Sequence, residues 1–346
     1  MAGRKINVKK FPSELRYDLF SQDWVVIATG RARRPEMFKE KRETKKVLPP
    51  KLCPFCKMEK QEKPVLIFVK GKKVPLTDQL PKDWTTVVIP NKYPAFIPSR
   101  EIIKSKEGPF FEKIQATGYH EVVVTRDHWR SLALFEIEQV KEVIDAYHDR
   151  FQTLMNLKFA NYISIFHNHK AEAGASIFHP HSQIITTPLI DPDLNKAIIN
   201  AGKYYEKTKK CLYCEVGKWE RRIKKRIVFE NKHFYALCPF ASKSAFEVII
   251  SPKRHLSYFE EINEEEKWSL AEAFKVVLYK LYKGLNDPAY NFYLHTAPCV
   301  AKAYPQYHWH WTILPKTSVW AGFEIGTGME ISTIEPEKAA AYLRKQ

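Results

Sequence analysis

The sequence predicts an α+β protein made of two copies of one structural unit. Strand-like and helical patterns alternate along the chain, and the same motifs recur in the same order in both halves. Each half also carries one Cys-x-x-Cys pair and one His-x-His motif. The chain has 346 residues, enough for two domains of ordinary size, which we expect at 1–190 and 191–346.

The composition indicates a globular protein with a substantial core. Hydrophobic residues make up 45% of the chain and charged residues 27%. The apolar runs are strand-sized and fall short of the roughly 20 residues that a membrane helix requires. Basic residues near the N-terminus are not followed by an apolar stretch, so no secretory signal is recognised. We therefore expect a cytoplasmic protein that does not contact membranes.

The chain is strongly basic, with a net charge of +17 from 56 basic and 39 acidic side chains. Such an excess suits a polyanionic partner, either nucleic acid or a phosphorylated metabolite. The basic residues are spread along the chain, however, as on a solvated lysine-rich surface. Charge alone therefore does not identify the partner.

The first half contains a cysteine pair, a strand, a loop histidine, a helix, a second strand and a His-x-His motif. In order, these are Cys53 and Cys56, the strand 121–125, His128, the helix that follows it, the strand 162–166, and His179-Pro180-His181. The helix shows apolar residues at three- and four-residue spacing, which places them on one face. They are Ile137, Val140, Ile144, Tyr147, Phe151 and Leu154.

The second half repeats this arrangement. Its parts are Cys211 and Cys214, the strand 247–251, His255, a helix, the strand 291–295, and His308-Trp309-His310. The helix is expected to start at Asn263, with Glu266 completing a capping box. Nearly equal lengths of chain separate the loop histidine from the His-x-His motif in the two halves. Matching order and spacing together indicate an internal duplication.

Each half offers two cysteines and two histidines, which suit a tetrahedral structural metal site. The first predicted set is Cys53, Cys56, His128 and His179; the second is Cys211, Cys214, His255 and His308. We expect zinc in both, although the second site could hold another metal such as iron. The remaining histidines, His120 among them, are expected to be surface or hydrogen-bonded residues, some of them lining the cleft.

The segment around His181 has the residue types that phosphoryl chemistry requires. A neutral imidazole is a competent nucleophile towards phosphorus, and Gln183, two residues further along the strand, would lie on the same face as His181. The Gln183 amide can donate to a phosphoryl oxygen. Small residues in the preceding run, including Gly174 and Ser176, allow backbone amides to approach a phosphate.

These residues lie in the run NHKAEAGASIFHPHSQII, which resembles the active-site signature of galactose-1-phosphate uridylyltransferases in the histidine-triad superfamily. YDLFSQDWVVIATGRARRP resembles the family's opening nucleotide-binding segment, and AGFEIGTGMEIS its sugar-binding tail. The resemblance runs from about Arg16 to Ile331. It implies two histidine-triad-like domains, each an antiparallel sheet with packed helices, which usually form a homodimer.

The resemblance also implies roles for individual residues. His181 would be the nucleophile that becomes uridylylated, with the C-terminal tail supplying the sugar contacts. The other implied contacts are Gln183 and Ser176 to the phosphates, Asn168, Gly174, Arg31 and Arg34 to the nucleotide, Asn91 near the ribose and base, and Phe323 and Glu324 in the hexose-binding tail.

Three departures from the family pattern bear on the substrate. Ser182 stands where well-known bacterial members have Gly, and Phe323 stands where they have Tyr. A cysteine pair replaces part of the Glu and histidine set of their second metal site. The serine, the tail and the two Cys/His sites also resemble a plant relative, ADP-glucose phosphorylase.

The resemblance implies a ping-pong reaction with UDP-hexose and hexose-1-phosphate as substrates. The first alternative is an ADP-glucose phosphorylase-like adenylyl transfer to phosphate. A zinc-stabilised nucleic-acid-binding protein would explain the cysteine pairs and the charge, but not the run that ends at Gln183. Nucleotide hydrolysis would leave the sugar-binding tail unexplained. We therefore predict a uridylyltransferase that does not bind nucleic acid.

Overall fold

The computed structural model describes residues 13–28, 48–300 and 303–346. Strands and helices alternate through these ranges, as the sequence predicts. The strands are β1 (Ser13–Tyr17), β2 (Trp24–Ala28), β3 (Leu66–Val69), β4 (Lys72–Val74), β5 (Thr86–Pro90), β6 (Lys104–Glu107), β7 (Phe111–Ile114), β8 (His120–Thr125), β9 (Tyr162–His169), β10 (His181–Thr187), β11 (Ile227–Glu230), β12 (Phe234–Leu237), β13 (Val248–Pro252), β14 (Tyr290–His295), β15 (His310–Pro315) and β16 (Ile331–Ser332).

Helices lie between these strands in both halves of the chain. They are α1 (Ile137–Leu154), α2 (Pro192–Thr208), α3 (Leu212–Ile223), α4 (Glu264–Leu285), α5 (Gly322–Thr327) and α6 (Pro336–Arg344). Among the helices described, none is long and apolar enough to cross a bilayer.

An eleven-stranded antiparallel sheet runs through both halves of the chain. Its order is β11-β12-β13-β15-β14-β9-β10-β8-β5-β3-β4. The halves meet where β14 pairs with β9, and the strand order is mirrored on either side of this seam. From the seam outwards, β9, β10, β8, β5 and β3 correspond to β14, β15, β13, β12 and β11. The predicted α+β duplication is therefore confirmed. The predicted boundary after residue 190 falls between β10 and α2 and stays a prediction, because one sheet joins the two halves.

Helices α1 and α4 cover one face of this sheet and pack against each other. The apolar stripe predicted for α1 is buried from Val140 to Leu154, with Ile137 at its edge. Asn263 and Glu266 form the predicted capping box at the start of α4. Each large side chain buried here contributes roughly 1.5–3 kcal/mol of transfer free energy, so this layer is a major source of fold stability.

The opposite face of the sheet carries the segments that hold the cysteine pairs. Phe55, between Cys53 and Cys56, packs with Val87 and Val122 of the first half. Tyr213, between Cys211 and Cys214, packs with residues of α2 and with Tyr307 of the second half. Each cysteine pair is thus held beside its sheet by the aromatic residue within the motif.

Two strand boundaries differ from the prediction by more than one residue. The strand expected at 162–166 continues as β9 to His169, because β14 pairs with it across the seam. In the His-x-His motif, β10 begins only at His181, so His179 lies just before the strand. The relative orientation of the two histidine side chains is therefore set by the bend that precedes β10. It is not set by the alternation of side chains along a strand.

The two ends of the described chain meet in a separate small sheet. Strands β1 and β2 pair antiparallel, and β16 joins β2 in parallel. Arg16 connects the ends further, because its guanidinium donates to the Glu337 carboxylate at 3.1 Å. This contact fixes the N-terminal segment against the second half.

Candidate active site and metal centres

Four side chains of the first half converge in one cluster. Cys53 precedes a short 3-10 turn that ends at Cys56, His128 lies in the loop after β8, and His179 precedes β10. Their ligand atoms lie within 4.8 Å of one another. Cys56 Sγ is 3.2 Å from His128 Nδ1 and 3.5 Å from His179 Nδ1. Sequence segments far apart in the chain thus bring two sulfurs and two ring nitrogens together.

The outer ring nitrogens fix which atoms face the centre of this cluster. His179 Nε2 donates to the Thr125 carbonyl at 2.6 Å, and His128 Nε2 donates to the Leu48 carbonyl at 3.0 Å. Because each Nε2 carries the proton, each Nδ1 presents a lone pair to the cysteines. Burial lowers the pKa of His179 to about 4, which keeps its ring neutral as metal binding requires.

The second half contains a matching cluster of Cys211, Cys214, His255 and His308. Cys214 Sγ lies 3.3 Å from His255 Nδ1 and 3.5 Å from His308 Nδ1. His308 Nε2 donates to the Pro252 carbonyl at 2.9 Å, as His179 does to Thr125. The two clusters therefore share one design, although His255 is exposed whereas His128 is buried.

The donor sets fit a metal cation. In the first cluster, burial and the neighbouring Cys53 raise the pKa of Cys56 to about 11. In the second, the side-chain hydrogen bond from Cys214 lowers the pKa of Cys211 to about 3, while the same contact with Cys211 raises the pKa of Cys214. A second thiolate is thus disfavoured in each cluster unless a cation offsets its charge. Two thiolates and two imidazoles per cluster are compatible with zinc or another transition metal.

His181 opens strand β10 beside the first cluster. Its Nδ1 donates to the His179 carbonyl at 2.9 Å, so its lone pair resides on Nε2. Burial lowers the pKa of His181, which favours the neutral ring. The Phe55 ring lies 5.0 Å away, and the imidazole remains half-buried. The arrangement supplies an oriented, neutral imidazole with one unprotonated nitrogen.

Gln183 is oriented by a histidine to which the sequence assigns no role. The Ala95 amide donates to Nδ1 of His120 at 3.1 Å, which places the ring proton on Nε2. His120 Nε2 lies 2.7 Å from Gln183 Oε1 and therefore donates to it. Asn91 Nδ2 lies 3.1 Å from the same ring nitrogen. Because its oxygen is occupied, Gln183 has its amide hydrogens available for a bound phosphate.

The strand pairing explains why His120 was missed. Ile185 of β10 is the cross-strand partner of His120, so Gln183 is the diagonal neighbour on the same face. Sequence spacing carries no information on the register between β8 and β10. The only available signal was the position of a histidine directly before the predicted strand 121–125.

Ser182 occupies the reverse face of the same strand. It is buried, and its hydroxyl lies 2.5 Å from Tyr147 Oη and 3.0 Å from His167 Nδ1. Serine thus adds two polar contacts beneath His181 that a glycine could not make. These contacts connect the strand to helix α1 through Tyr147 and to β9 through His167.

The structure shows where most of the other predicted site residues lie. Gly174 adopts the left-handed conformation at φ +92°, and a Cβ there would lie 3.7 Å from Nδ2 of Asn168. Ser176 is exposed in the segment between this turn and β10. Phe323 and Glu324 lie in α5, where the Glu324 carboxylate accepts a hydrogen bond from the Ala321 amide of its own helix. Arg31 and Arg34 lie outside the described residues.

The second half retains part of this arrangement. His310 Nδ1 donates to the His308 carbonyl at 3.2 Å, as His181 does to His179. Thr312, however, stands at the position of Gln183. Tyr213, the counterpart of Phe55, is stacked by Phe20 at 4.1 Å between ring centroids. The N-terminal segment therefore packs over this side of the second unit.

Sequence models of one family match nearly the whole chain. Residues 5–192 match galactose-1-phosphate uridyl transferase, N-terminal domain, and residues 198–344 match galactose-1-phosphate uridyl transferase, C-terminal domain. The chain belongs to the galactose-1-phosphate uridyl transferase family. The predicted family is thus confirmed, and so is the prediction of an enzyme of the nucleotidyltransferase class.

Two known proteins resemble the chain over nearly its full length. An ADP-glucose phosphorylase from Arabidopsis thaliana is 34% identical over 98% of this chain and 94% of its own. A galactose-1-phosphate uridylyltransferase from Thermotoga maritima is 32% identical over 96% and 98%.

Solved structures agree with these sequence relationships. A crystal structure of an ADP-glucose phosphorylase from Arabidopsis thaliana with bound ADP-glucose superposes with a TM-score of 0.78, at 31% identity over 97% of this chain and 99% of that one. A uridylyltransferase structure gives a TM-score of 0.73 at 27% identity, over 96% and 97%. The fold of this chain is thus shared by relatives that are named as two different enzymes.

Proposed function

We propose that this enzyme transfers a nucleoside monophosphate from a sugar nucleotide to a sugar phosphate through a covalent intermediate on His181. The observation that carries the proposal is the hydrogen bond from His181 Nδ1 to the His179 carbonyl, beside Gln183. It leaves Nε2 as the nucleophilic nitrogen of a ring that burial keeps neutral. The substrates in the first instance are a UDP-hexose and a hexose-1-phosphate.

The first step is an attack of the His181 Nε2 electron pair on the α-phosphorus of UDP-hexose. An N–P bond forms, and the bond between the α-phosphorus and the bridging oxygen breaks. The bond electrons leave with hexose-1-phosphate. The ring, still protonated on Nδ1, becomes cationic, and the His179 carbonyl stabilises that charge.

The second step reverses the first with another acceptor. A phosphate oxygen of the incoming hexose-1-phosphate attacks the same phosphorus, and the N–P electrons return to Nε2. Because phosphate oxygens are already anionic, neither step requires a general base. Splitting the displacement in two lets one phosphate site serve both sugars in turn.

Neighbouring side chains would stabilise the charge on the phosphoryl oxygens. The Gln183 amide is available for this because His120 occupies its oxygen. We assign phosphate contacts to Ser176 and nucleotide contacts to Asn168 and Gly174. Family position adds Arg31 and Arg34 to the phosphates, Asn91 to the ribose or base, and Phe323 and Glu324 to the hexose.

We further propose zinc in both Cys/His clusters, the second being the one that could accept a different metal. Each cluster offers four protein donors, which completes a tetrahedral shell. A metal with four protein ligands would supply cross-linking of each cysteine segment to its sheet. Because the His179 side chain would be one of these ligands, the metal would also fix the His179 backbone carbonyl that orients His181. A cytoplasmic location, a homodimer and a division into 1–190 and 191–346 stay predictions.

A second candidate is adenylyl transfer from ADP-glucose to inorganic phosphate. It is favoured by the similarity to the Arabidopsis thaliana ADP-glucose phosphorylase and to its ADP-glucose-bound structure. Both candidates use the same histidine and differ in the base and in the acceptor. The chemistry of His181 is therefore independent of the choice between them.

Intact-mass measurement after mixing the enzyme with one sugar nucleotide at a time, without acceptor, tests the proposal. A gain of a uridylyl group with UDP-glucose supports the first candidate, and a gain of an adenylyl group with ADP-glucose supports the second. Peptide mapping should place the added group on His181. Release of the label by hexose-1-phosphate or by inorganic phosphate then identifies the acceptor. An unmodified protein in both mixtures would refute the covalent mechanism.

A further inference from the structure

An asparagine of the second half contacts the phosphate loop of the first half, the segment 168–176 that holds the residues assigned to phosphate and nucleotide contacts. Asn291 in β14 is the cross-strand partner of Asn168 in β9, at the seam between the duplicated units. Its side-chain nitrogen donates to Asn168 Oδ1 and to the Ala173 carbonyl, each at 2.8 Å. Ala173 belongs to the short 3-10 turn that precedes Gly174. One amide group therefore contacts both an assigned nucleotide-binding residue and the turn beside it.

These contacts determine which way the Asn168 amide faces. A peptide carbonyl can only accept hydrogen bonds, so the Asn291 atom that faces Ala173 must be nitrogen. The same nitrogen faces Asn168, which must therefore present its oxygen. The Asn168 nitrogen consequently faces the other way, towards Gly174, where a Cβ would lie 3.7 Å from it. The backbone carbonyl of Ala173 thus sets the orientation of the side-chain amides of both Asn291 and Asn168.

The resulting orientation suits an anionic ligand. Asn168 Nδ2 is a hydrogen-bond donor beside a glycine in the left-handed conformation, at the start of the run that leads to His181. A donor held there before the substrate arrives requires no reorientation when a phosphoryl oxygen binds. The opposite orientation would present an oxygen to the phosphate and repel it.

The same loop is held to the second half at another point. His169 Nε2 lies 2.9 Å from Asp287 Oδ1, and Lys170 Nζ lies 3.1 Å from Asp287 Oδ2. Asp287 follows the C-terminus of α4, just before β14. The phosphate loop therefore contacts the second half at two places, through Asn291 and through Asp287.

We propose that Asn291 is a positioning residue for nucleotidyl transfer, acting through Asn168 rather than on the substrate. The proposal rests on the proposed function of His181. It also gives the second half, which lacks a counterpart of Gln183, a direct part in building the active site.

Single-turnover labelling tests this role, with UDP-glucose and ADP-glucose offered separately and the rate followed by intact mass. Asn291→Asp keeps the shape but replaces the donor by an acceptor, so Asn168 turns its oxygen towards the phosphate. We expect labelling to slow by about 10–100-fold, the range typical for residues that orient a functional group. Asn168→Asp retains the bond from Asn291 but removes the outward donor, and should slow labelling to a similar extent.

A matched control is Asn231→Asp in the second half. Asn231 also donates through its amide, to the Ser269 carbonyl and to Glu272, but far along the chain from the phosphate loop. It should lower the melting temperature without slowing the labelling step. A double-mutant cycle gives the strictest test, because Asn291→Ala should add nothing to Asn168→Ala if the two act in series.

The outcomes separate this inference from the proposed function. If the wild type is labelled and Asn291→Asp is labelled at the same rate, Asn291 has no positioning role and the covalent mechanism stands. Additive effects in the cycle would also refute action through Asn168. If Asn291→Asp fails to fold, wild-type labelling by Asn168→Asp refutes the proposal instead. A wild type that takes no label from either nucleotide overturns both.

Discussion

The backbone carbonyl of His179 accepts a 2.9 Å hydrogen bond from Nδ1 of His181, while the ring of His179 belongs to the first Cys/His cluster. One residue therefore contributes its side chain to a candidate metal site and its backbone to the candidate nucleophile. The Cys/His cluster and the candidate nucleophile are thus linked through this residue, although His181 is not part of the cluster.

Replacement of His181 by alanine should abolish nucleotide labelling. Loss of the attacking nitrogen is expected to reduce transfer by on the order of 10⁴-fold or more, as for other covalent nucleophiles. The His310→Ala variant is the matched control, because His310 makes the equivalent bond to His308 in the second half. It should be labelled like the wild type. Both variants should retain their metal content, and normal turnover by His181→Ala would rule out its assignment.

Replacement of His120 by alanine should slow transfer while leaving the fold intact. Without the bond to Gln183 Oε1, the Gln183 amide is free to rotate and its donor is no longer held for the phosphate. We expect a fall in kcat of about 10–100-fold with a smaller change in KM. His148→Ala serves as the control, since His148 is also a partly buried histidine but hydrogen-bonds the Glu260 carbonyl. Equal kcat losses in the two variants would contradict a specific role for His120.

Each Cys/His cluster should bind one metal ion. Elemental analysis should therefore find two ions per chain, and Cys53→Ser or Cys211→Ser should each remove one and lower the melting temperature. Cys238→Ser is the control, because Cys238 is buried but belongs to neither cluster. Under a chelator, the second cluster should lose its ion first, because His255 is exposed. Full metal content in both cluster variants would disprove the assigned ligand sets.

Two buried carboxyl groups should each contribute less to stability at neutral pH than at mildly acidic pH. Burial raises the pKa of Glu247 from 4.5 to about 7, and burial raises the pKa of Glu260 likewise to about 7. A folded-state pKa above the unfolded value means that the folded protein binds the proton more tightly. This contribution to stability is therefore complete below pH 4.5 and is lost as the pH rises through about 7.

Glu247→Gln removes that dependence for one site. The variant should match the wild type in denaturant midpoint near pH 5 and exceed it near pH 8. Glu260→Gln should act in the same direction, whereas the exposed Glu62→Gln should have no pH-dependent effect. A wild type whose stability advantage over Glu247→Gln grew with pH would reverse the sign and contradict the buried environment of this carboxyl group.

The sequence was most informative where function required particular residue types. Two cysteine pairs, two loop histidines and two His-x-His motifs predicted both clusters in full, because metal ligands are restricted to a few side chains. The apolar stripe of α1 and the capping box of α4 were predicted because they depend on local periodicity and local hydrogen bonds. Such features need only neighbouring residues for their recognition.

Contacts between distant strands could not be predicted in the same way. The register that sets His120 beside Gln183 and the seam that sets Asn291 opposite Asn168 arise from pairing between segments far apart in the chain. Hydrophobic alternation shows which face a residue lies on, but not which residue lies opposite. The roles of both His120 and Asn291 therefore emerged only from the folded chain.

By itself, the sequence determined the duplicated α+β architecture and the membership of the two Cys/His clusters, and it singled out the candidate nucleophile, because each depends on residue type and spacing along the chain. Only the tertiary structure decided the orientation of the groups around that nucleophile. Hydrogen-bond direction at His181, Gln183 and Asn168 is set by carbonyls and side chains brought in from other segments. The direction of such a hydrogen bond depends on which groups are neighbours in the folded chain, and the linear sequence does not contain that information.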